Sequence, residues 1–410
     1  MRLRKQLLIY FGVTAINAVL SFVITSMLTH YIEPADYGRI YLYSSFLNLL
    51  TPFITMGILY PLSVEYFKRS HESYSFYFSN AQVIPLISLG IFTILCIVFQ
   101  NPLSQLLKVS NVWIWAMPLS VWWIMINDTS AMITRNNNKP YQFAFFAVGK
   151  NVAEILLTIL FVLSLHWSWQ GRLGSAAVGP LLLGVISIYC FYRWKLIEKK
   201  IDWPLVRRIF LLSFPFIFER LSIFIMNSSD RYFIDSYVQK GTREVGLYGL
   251  GGQIAMIIFL VVISMNSAYQ PHIFKRMSEG LKHRIHKTTY WYILACAATV
   301  GLIFIGIPFL FNFFISGEYA GAKKYAYLLC AGYFMWGIYN AFQAYLLYLQ
   351  KNREIMLIAI LGMVISLSLN FFFVKQYGAE GAAYTSMITY TIMAAASFWL
   401  VRKYYLLKHE

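Results

Sequence analysis

Residues 79–99 read SNAQVIPLISLGIFTILCIVF, a stretch without a single charged side chain. A helix rises about 1.5 Å per residue, so a stretch of this length can cross a hydrocarbon core about 30 Å thick. The whole chain has the same character: it is 59% hydrophobic, 12% charged and has a mean hydropathy of +0.59. These values lie outside the range of soluble proteins and predict an integral membrane protein.

Twelve apolar runs of this kind can be placed along the chain. The longest stretches between them, near residues 193–210 and 270–288, hold only about twenty residues each, which leaves no room for a soluble domain. The first run has no small-residue cleavage site, so we interpret it as a retained helix and not as a signal peptide. The predicted spans are 6–29, 40–64, 79–99, 111–133, 142–165, 174–192, 211–236, 247–269, 289–313, 325–348, 354–374 and 381–401.

Lysine and arginine are distributed unevenly between the two ends of these spans. If both termini lie in the cytoplasm, 23 of the 34 Lys and Arg residues fall on the cytoplasmic side and eight on the other side. Positive residues favour the cytoplasmic side, so the bias predicts a multi-pass protein with both termini in the cytoplasm. The net charge of +17 suits anionic lipid headgroups and gives no support to nucleic-acid binding.

Short motifs recur at a separation of about half the chain, which indicates a duplicated six-helix half. Because six is even, both halves should enter the membrane in the same direction, with a cleft between them. We therefore predict an all-α integral membrane fold of two parallel, pseudo-symmetric six-helix bundles, residues 1–200 and 201–410. The recurring motifs are Phe67-Lys68-Arg69 with Phe274-Lys275-Arg276, Gly171-x-x-Gly174-x-Ala176 with Gly378-x-x-Gly381-x-Ala383, and Asp36-Tyr-Gly38-x-x-Tyr41 with Glu244-Val-Gly246-x-Tyr248.

Polar residues on the first two spans follow helical spacing, which gathers each set on one face. Hydrogen bonding between helices of a bundle explains such a stripe, and so does a wet cavity. Both interpretations stay open from the sequence. The two stripes are Thr14, Asn17, Ser21 and Thr25 on the first span and Ser44, Asn48, Thr51 and Thr55 on the second.

Ionisable residues inside the predicted spans are the main candidates for function. The seventh span carries Glu219 and Arg220, then Asp230 and Arg231 after eleven residues. On one continuous helix, eleven residues place Arg220 and Arg231 on the same face, with Asn227 between them on that side. A charge that faces lipid is costly, so these groups should face the protein interior or water.

The fourth and fifth spans add Asp128, Lys150 and Glu154. Lys150 and Glu154 are four residues apart, so a structural ion pair between them is one interpretation and direct participation in function is the other. The histidines and cysteines show no metal-ligand spacing, which predicts no metal site and no bound cofactor.

Two segments resemble a known family. Residues 228–257, SSDRYFIDSYVQKGTREVGLYGLGGQIAMI, resemble the seventh and eighth helices of the polysaccharide-export flippases, where an Asp-Arg pair precedes an apolar stretch and a Val-Gly-x-Tyr turn. Residues 29–43, THYIEPADYGRIYLY, resemble that family's first loop. The family is that of the Wzx-type O-antigen and capsule-unit flippases, in the multidrug/oligosaccharidyl-lipid/polysaccharide (MOP) exporter superfamily, and the resemblance covers essentially the whole chain.

The resemblance implies a flippase that moves an undecaprenyl-diphosphate-linked oligosaccharide, an O-antigen or capsule repeat unit, by alternating access. It implies coupling to a gradient of H⁺ or Na⁺, and membrane lipids and other polysaccharide assembly proteins as partners. The positions for diphosphate or sugar are Arg220, Arg231, Lys150, Asn17, Asn48 and Asn227, and those for ion coupling are Asp128, Glu154, Asp230 and Glu219.

Two other classes of protein stay open. An ion-coupled multidrug antiporter of the same superfamily should favour acidic and aromatic residues over arginines in its cavity. A membrane-embedded polysaccharide polymerase or glycosyltransferase usually has a large periplasmic loop or an Asp-x-Asp pair near the first helix, and this sequence has neither. The sequence also lacks a GxxxxGK loop, so we predict a transporter that is not an enzyme.

Overall fold

The computed structural model describes residues 3–279 and 282–406, and every regular element in these ranges is a helix. Helices satisfy their own backbone hydrogen bonds, as a hydrocarbon environment requires. The predicted all-α fold is confirmed. The chain forms two compact units: unit 1 comprises the residues up to Ile32 and Leu42–Leu221, and unit 2 comprises Glu33–Tyr41 and the residues from Ser222 onward. The bundle boundary expected at residue 200 stays a prediction.

In unit 1, helices α6, α7 and α8 pack against one another, α1 packs against α7, and α4 packs against α6 and α9. Helix α2 begins in unit 2 and continues into unit 1. The helices are α1 (Leu3–Tyr31), α2 (Pro34–Thr55), α3 (Leu59–Lys68), α4 (His71–Val98), α5 (Gln100–Leu107), α6 (Asn111–Asn136), α7 (Pro140–Thr158, prolonged by a π-helix over Ile159–Ser164), α8 (Ser168–Arg193) and α9 (Trp203–Ser213).

In unit 2, the helix α14 packs against α12, α13 and α16, and α11 packs against α12 and α15. Helix α10 runs from unit 1 into unit 2. The helices are α10 (Pro215–Ser228), α11 (Asp230–Tyr237), α12 (Gly241–Ser278), α13 (Lys282–Phe313), α14 (Ala322–Tyr348), α15 (Asn352–Tyr377) and α16 (Ala379–Val401), with a 3₁₀ turn at Gly317–Tyr319 and a π-helical end at Arg402–Leu406.

Seven helices within the described residues are long and apolar enough to cross a membrane. Two bent pairs, α2 with α3 at 44° and α5 with α6 at 93°, raise the number to nine if each pair is one span. The three remaining predicted spans are helical but do not reach the length and hydropathy needed to cross a membrane. The described apolar part of α1 is only Ile16–Tyr31, and the seventh span is interrupted. The hydropathy of α14 is lowered by its six tyrosines. For these three the span remains a prediction.

Three details of the expected helix boundaries are wrong. The stretch near 193–210 contains most of α9, and α12 and α13 together extend through most of the stretch 270–288. The span 211–236 is not one helix, because helical structure is interrupted at Phe214 and again at Ser229. Hydropathy locates apolar stretches; it does not report where a helix continues into water or where it breaks.

Between α2 and α3 the chain turns through two residues with positive φ, Met56 at 48° and Gly57 at 66°. At Gly57 a side chain would also meet Cβ of Phe216 and the carbonyl oxygen of Ser213. The ring of Phe216 packs on Tyr60, with centroids 4.4 Å apart. Glycine therefore permits both the left-handed turn and the close approach of the α9–α10 junction.

The first turns of α2 pack against the start of α12 inside unit 2. A Cβ atom on Gly38 would overlap the carbonyl oxygen of Thr242, and a Cβ atom on Gly246 would overlap the carbonyl oxygen of Pro34. Gly38 and Gly246 belong to the two copies of one recurring motif. The motif thus marks a contact in which each copy supplies the glycine that lets the other backbone approach.

The segment that leads into α9 is held by two side chains of α4. Asn80 is fully buried; its amide donates to the Lys200 carbonyl at 3.3 Å, and its oxygen accepts from the Asp202 backbone N–H at 2.7 Å. Ser79 donates to the Leu196 carbonyl at 2.8 Å. A non-helical stretch is therefore fixed on unit 1 although no regular element includes it.

Candidate functional site

The ionisable residues of unit 1 are paired across neighbouring helices. Lys150 on α7 has its Nζ 3.6 Å from Oδ1 of Asp128 on α6. Glu154, one turn further along α7, has Oε2 3.2 Å from Nη1 of Arg172 on α8. Lys150 and Glu154 therefore each take a partner from another helix, and the interpretation in which they neutralise each other is wrong.

The pair of Glu154 and Arg172 belongs to a small polar network. Arg172 also donates to Oγ of Ser175 at 3.2 Å, and the Ser175 hydroxyl lies 2.7 Å from the Thr158 hydroxyl on α7. The two charged side chains are only 15% and 19% exposed. This role of Arg172 was not predictable from the sequence, since nothing local connects residues 154 and 172.

Asn17 joins α1 to α7. Its amide donates to the carbonyl of Ala147 at 3.1 Å, and its oxygen accepts from Nδ2 of Asn151 at 2.9 Å. In the polar stripe on α1, Asn17 thus forms hydrogen bonds between helices of the bundle, as one of the two interpretations of such stripes predicted. Asn48 on α2 is exposed, and the side chain of Thr14 lies outside the described residues.

In unit 2, Asp230 is buried and hydrogen-bonded at the start of α11. Tyr248 on α12 donates its hydroxyl to Oδ2 of Asp230 at 2.5 Å, and the Arg231 backbone N–H donates to Oδ1 at 2.9 Å. The whole Asp230 residue is 6% exposed. Such a group needs donors on both oxygens, and these two interactions supply them.

Arg231, the neighbour of Asp230, is half-buried and lies against an aromatic ring. Its guanidinium carbon is 5.1 Å from the ring centroid of Tyr41, in the part of α2 that belongs to unit 2. A guanidinium over a tyrosine face is stabilised by a cation–π interaction of about 0.5–2 kcal/mol. Tyr41 in turn makes an edge-on contact with Tyr37, with centroids 5.2 Å apart.

Tyr41 and Tyr248 are functional candidates that we did not predict, although the sequence contains a signal for both. They are 207 residues apart and close the two copies of the motif that contains Gly38 and Gly246. One contacts the base and the other the acid of the Asp-Arg pair. Tyrosines at matching positions of a repeat, in a chain that carries an acid and a base within an apolar predicted span, would have been a reason to select both.

The other predicted residues of the seventh span are less enclosed. Arg220 on α10 is exposed, and Asn227 is exposed but accepts a hydrogen bond from the Tyr390 hydroxyl at 3.1 Å. The side chain of Glu219 lies outside the described residues. The placement of Arg220 and Arg231 on one helical face stays a prediction: the helix assignment is interrupted at Ser229, but the dihedrals of that residue, φ −69° and ψ −29°, remain helical.

A family model described as "Polysaccharide biosynthesis protein" matches residues 3–277, about two thirds of the chain. The chain belongs to this family. A second model, MatE, matches residues 215–372. Among curated proteins, an uncharacterized membrane protein of Haemophilus influenzae is 23% identical over 84% of both chains.

Two solved structures show the fold. An inward-facing multidrug resistance MATE family transporter of the MOP superfamily matches with a TM-score of 0.75 at 13% identity, over 94% of each chain. The lipid II flippase MurJ, in an inward closed conformation, matches with a TM-score of 0.73 at 16% identity, over 97% of this chain and 87% of MurJ. The predicted family and the MOP fold are confirmed, and this polysaccharide biosynthesis family member has the architecture of transporters and flippases.

Proposed function

We propose that the protein is a flippase for an undecaprenyl-diphosphate-linked oligosaccharide, an O-antigen or capsule repeat unit, and that it works by alternating access. The observation that carries this proposal is the match of the polysaccharide biosynthesis family to a chain with a MOP transporter fold. We place the protein in the bacterial inner membrane with both termini in the cytoplasm, with membrane lipids and other polysaccharide assembly proteins as partners.

The substrate chemistry explains why such a protein would carry cations inside its helices. A headgroup with a diphosphate and several sugars cannot cross hydrocarbon unaided, because its charges and hydroxyls would lose their hydrogen bonds to water. We assign diphosphate binding to Lys150, Arg220 and Arg231. The ammonium of Lys150 and the guanidinium of Arg231 lie on helices within the predicted spans, which supports this assignment.

The three asparagines differ in their availability to sugars. Asn48 and Asn227 are exposed and serve as candidate sugar contacts. Asn17 is already bonded to α7, so we assign it to the support of Lys150 through the neighbouring residue Asn151.

Ion coupling is assigned first to Asp230. Among the candidate acids whose side chains the structure describes, Asp230 is the buried one, and a buried carboxylate can exchange its hydrogen-bond donors for a proton or Na⁺ with a large change in local charge. Glu154 is paired with Arg172 and Asp128 with Lys150, which makes both less free to bind a cation. Glu219 stays a candidate.

The direct test is reconstitution. Purified protein in proteoliposomes should translocate an undecaprenyl-diphosphate-linked oligosaccharide, detected as loss of accessibility to a glycan-modifying enzyme added outside. The same vesicles with a H⁺ or Na⁺ gradient of either direction identify the driving ion. Equal translocation in protein-free vesicles, or none in either case, would contradict the proposal.

An ion-coupled small-molecule antiporter is the second candidate, and the match of MatE to residues 215–372 favours it. Efflux of a fluorescent organic cation from cells that express the protein tests this alternative. Efflux above that of the Asp230→Asn variant, without oligosaccharide transport in vesicles, would select the antiporter.

A further inference from the structure

We propose that Asp128 is a displaceable counter-ion, which holds Lys150 while no anionic substrate is bound and gives it up to a phosphate group. This inference rests on the proposed function, because it takes the diphosphate of the substrate as the ligand of Lys150. It assigns to Asp128 a part in substrate affinity and release, in place of the ion coupling for which its acidity alone made it a candidate.

The two ion pairs of α7 differ in how firmly they are held. Glu154 and Arg172 are 3.2 Å apart in a hydrogen-bonded contact, and Arg172 has a second acceptor in Ser175. Their side chains are 15% and 19% exposed. With a shared network and little access for water, this pair is a fixed connection between α7 and α8.

The pair of Lys150 and Asp128 is looser. Its shortest distance, 3.6 Å, lies beyond the range of about 2.7–3.2 Å for an N–H···O hydrogen bond. The Lys150 side chain is 21% exposed and that of Asp128 is 50% exposed, so neither is enclosed by the surrounding protein. Lysine also has a flexible stem that can redirect its charge without moving the helix.

The fixed pair explains why Lys150 is available. From spacing alone Glu154, one turn away, would be the nearest acid to Lys150. Because Glu154 is engaged by Arg172, the charge of Lys150 is left to Asp128 or to an incoming anion. Arg172 thereby acts at a distance as a positioning residue for Lys150.

Charge decides which anion Lys150 prefers. An ammonium without a counter-ion is costly inside a membrane protein, so Asp128 lowers the cost of the empty state. A diphosphate carries more negative charge than one carboxylate and can displace it. After translocation, the carboxylate of Asp128 can pair with Lys150 again, which favours release of the product.

Binding of farnesyl diphosphate to the purified full-length protein in detergent tests this inference. We expect Asp128→Asn to bind this probe about tenfold tighter than the wild type, and Lys150→Met to bind it about tenfold more weakly. The double variant should bind like Lys150→Met, because the gain from Asp128→Asn requires the lysine. Asp128→Ser provides a second variant of different shape.

Two controls separate this effect from general electrostatics. Farnesol has the same chain without phosphate, and its affinity should not change in any variant. Glu380→Gln removes a carboxylate from a comparable pair with Lys324, at 2.8 Å with 51% and 37% exposure, and should leave the affinity for farnesyl diphosphate unchanged.

The possible failures are distinguishable. If the wild type binds farnesyl diphosphate through Lys150 but Asp128→Asn and Asp128→Ser do not bind it more tightly, the counter-ion role is wrong and the proposed function stands. If the double variant binds more tightly than Lys150→Met, Asp128 acts on another cation and the inference is also wrong. If the wild type prefers farnesol, the assignment of phosphate to Lys150 fails, and the inference fails with it.

Discussion

Asp230 and Arg231 are adjacent in sequence, but different tyrosines contact them. Tyr248 donates to the carboxylate, and Tyr41 lies under the guanidinium. Neighbouring residues of a helix point in different directions, so an acid and a base at consecutive positions cannot fully satisfy each other. The Asp-Arg pair therefore depends on residues far away in the sequence, and its function should be sensitive to them.

We expect Tyr248→Phe to destabilise the protein by about 1.5–3 kcal/mol, the range for a hydrogen bond to a charged group. The physical reason is that Oδ2 of the buried Asp230 loses its donor. Thermal unfolding in detergent measures the effect. Tyr237→Phe changes an exposed tyrosine on α11, the helix that carries Asp230, and is the matched control; equal shifts in the two variants would refute the role of Tyr248.

Arg231→Ala should reduce transport of the lipid-linked oligosaccharide while the amount of protein in the membrane stays close to normal. Loss of one charge-assisted contact to phosphate, worth about 1.5–3 kcal/mol, corresponds to a roughly ten- to hundredfold reduction. Arg231→Lys should recover only part, because an ammonium does not reproduce the planar guanidinium. Surface polymer measured in cells provides the readout, and normal levels in Arg231→Ala would remove the residue from the site.

At this scale the sequence identified the ionisable residues but not their partners. Asp128, Lys150, Glu154 and Asp230 stand out because charge is rare in apolar spans. Their partners could not be inferred, since each lies on another helix and the choice depends on helix rotation. Arg172 is the clearest example: it is eighteen residues from Glu154, with the end of one helix and a turn between them.

Helix α7 connects unit 1 through its polar residues, each directed to a different neighbour. Asn151 reaches α1, Lys150 reaches α6, and Glu154 reaches α8. Interhelical hydrogen bonds contribute to the association of membrane helices together with close packing. These three residues therefore connect three sides of α7 to its neighbours.

The pair of Glu154 and Arg172 should be essential for stability and tolerant of reversal. Breaking a buried pair by removing one partner costs about 3–5 kcal/mol, and partial exposure places this pair near the lower end. We expect Glu154→Arg and Arg172→Glu each to lower the thermal stability in detergent, and the double variant to recover much of it. Lys150→Glu with Glu154→Lys is the control exchange, which should give no recovery because these residues do not pair. The opposite pattern would contradict the assignment of partners.

The segment before α9 should be released by Asn80→Ala. The variant loses two hydrogen bonds, to Lys200 and Asp202, each worth about 0.5–1.5 kcal/mol. Trypsin cleavage after Lys199 or Lys200 should then become roughly ten- to a hundredfold faster, as followed by mass spectrometry. Asn101→Ala, an exposed asparagine at the start of α5, is the control. Unchanged cleavage in Asn80→Ala would show that the segment is held by other contacts.

Helix existence was predictable from the sequence, whereas helix breaks were not. Gly57 permits the turn between α2 and α3, but glycine is also frequent in unbroken membrane helices, so its presence did not signal a break. Ser229 offers even less of a signal. The break at Gly57 depends on what packs beside it, and the residues in contact, Ser213 and Phe216, are far away in the sequence.

For the whole molecule, composition and periodic apolar runs were sufficient to predict the fold class. A membrane restricts a chain to few kinds of secondary structure, because every backbone N–H and C=O group must be hydrogen-bonded within the protein. The recurring motifs and the segments 29–43 and 228–257 then led to the correct family. The sequence did not predict which residues belong to each unit, since residues 33–41 pack with helices two hundred residues away.

The orientation in the membrane can be tested with two single cysteines in a background without Cys96, Cys190, Cys296 and Cys330. Lys199→Cys and Glu318→Cys are both at exposed positions, on opposite sides according to the distribution of positive charge. A membrane-impermeant maleimide should label Glu318→Cys in intact cells and Lys199→Cys only after the membrane is broken. The reverse pattern would invert the proposed topology.

The interlocked glycines at positions 38 and 246 also constrain how this gene can change over time. After a duplication, two copies of a motif are normally free to drift apart, since each is selected alone. Here a methyl group on either copy would collide with the main chain of the other. Replacement of the glycine in one copy is therefore opposed by the backbone of the other copy, and a compensating substitution would have to shift an entire helix.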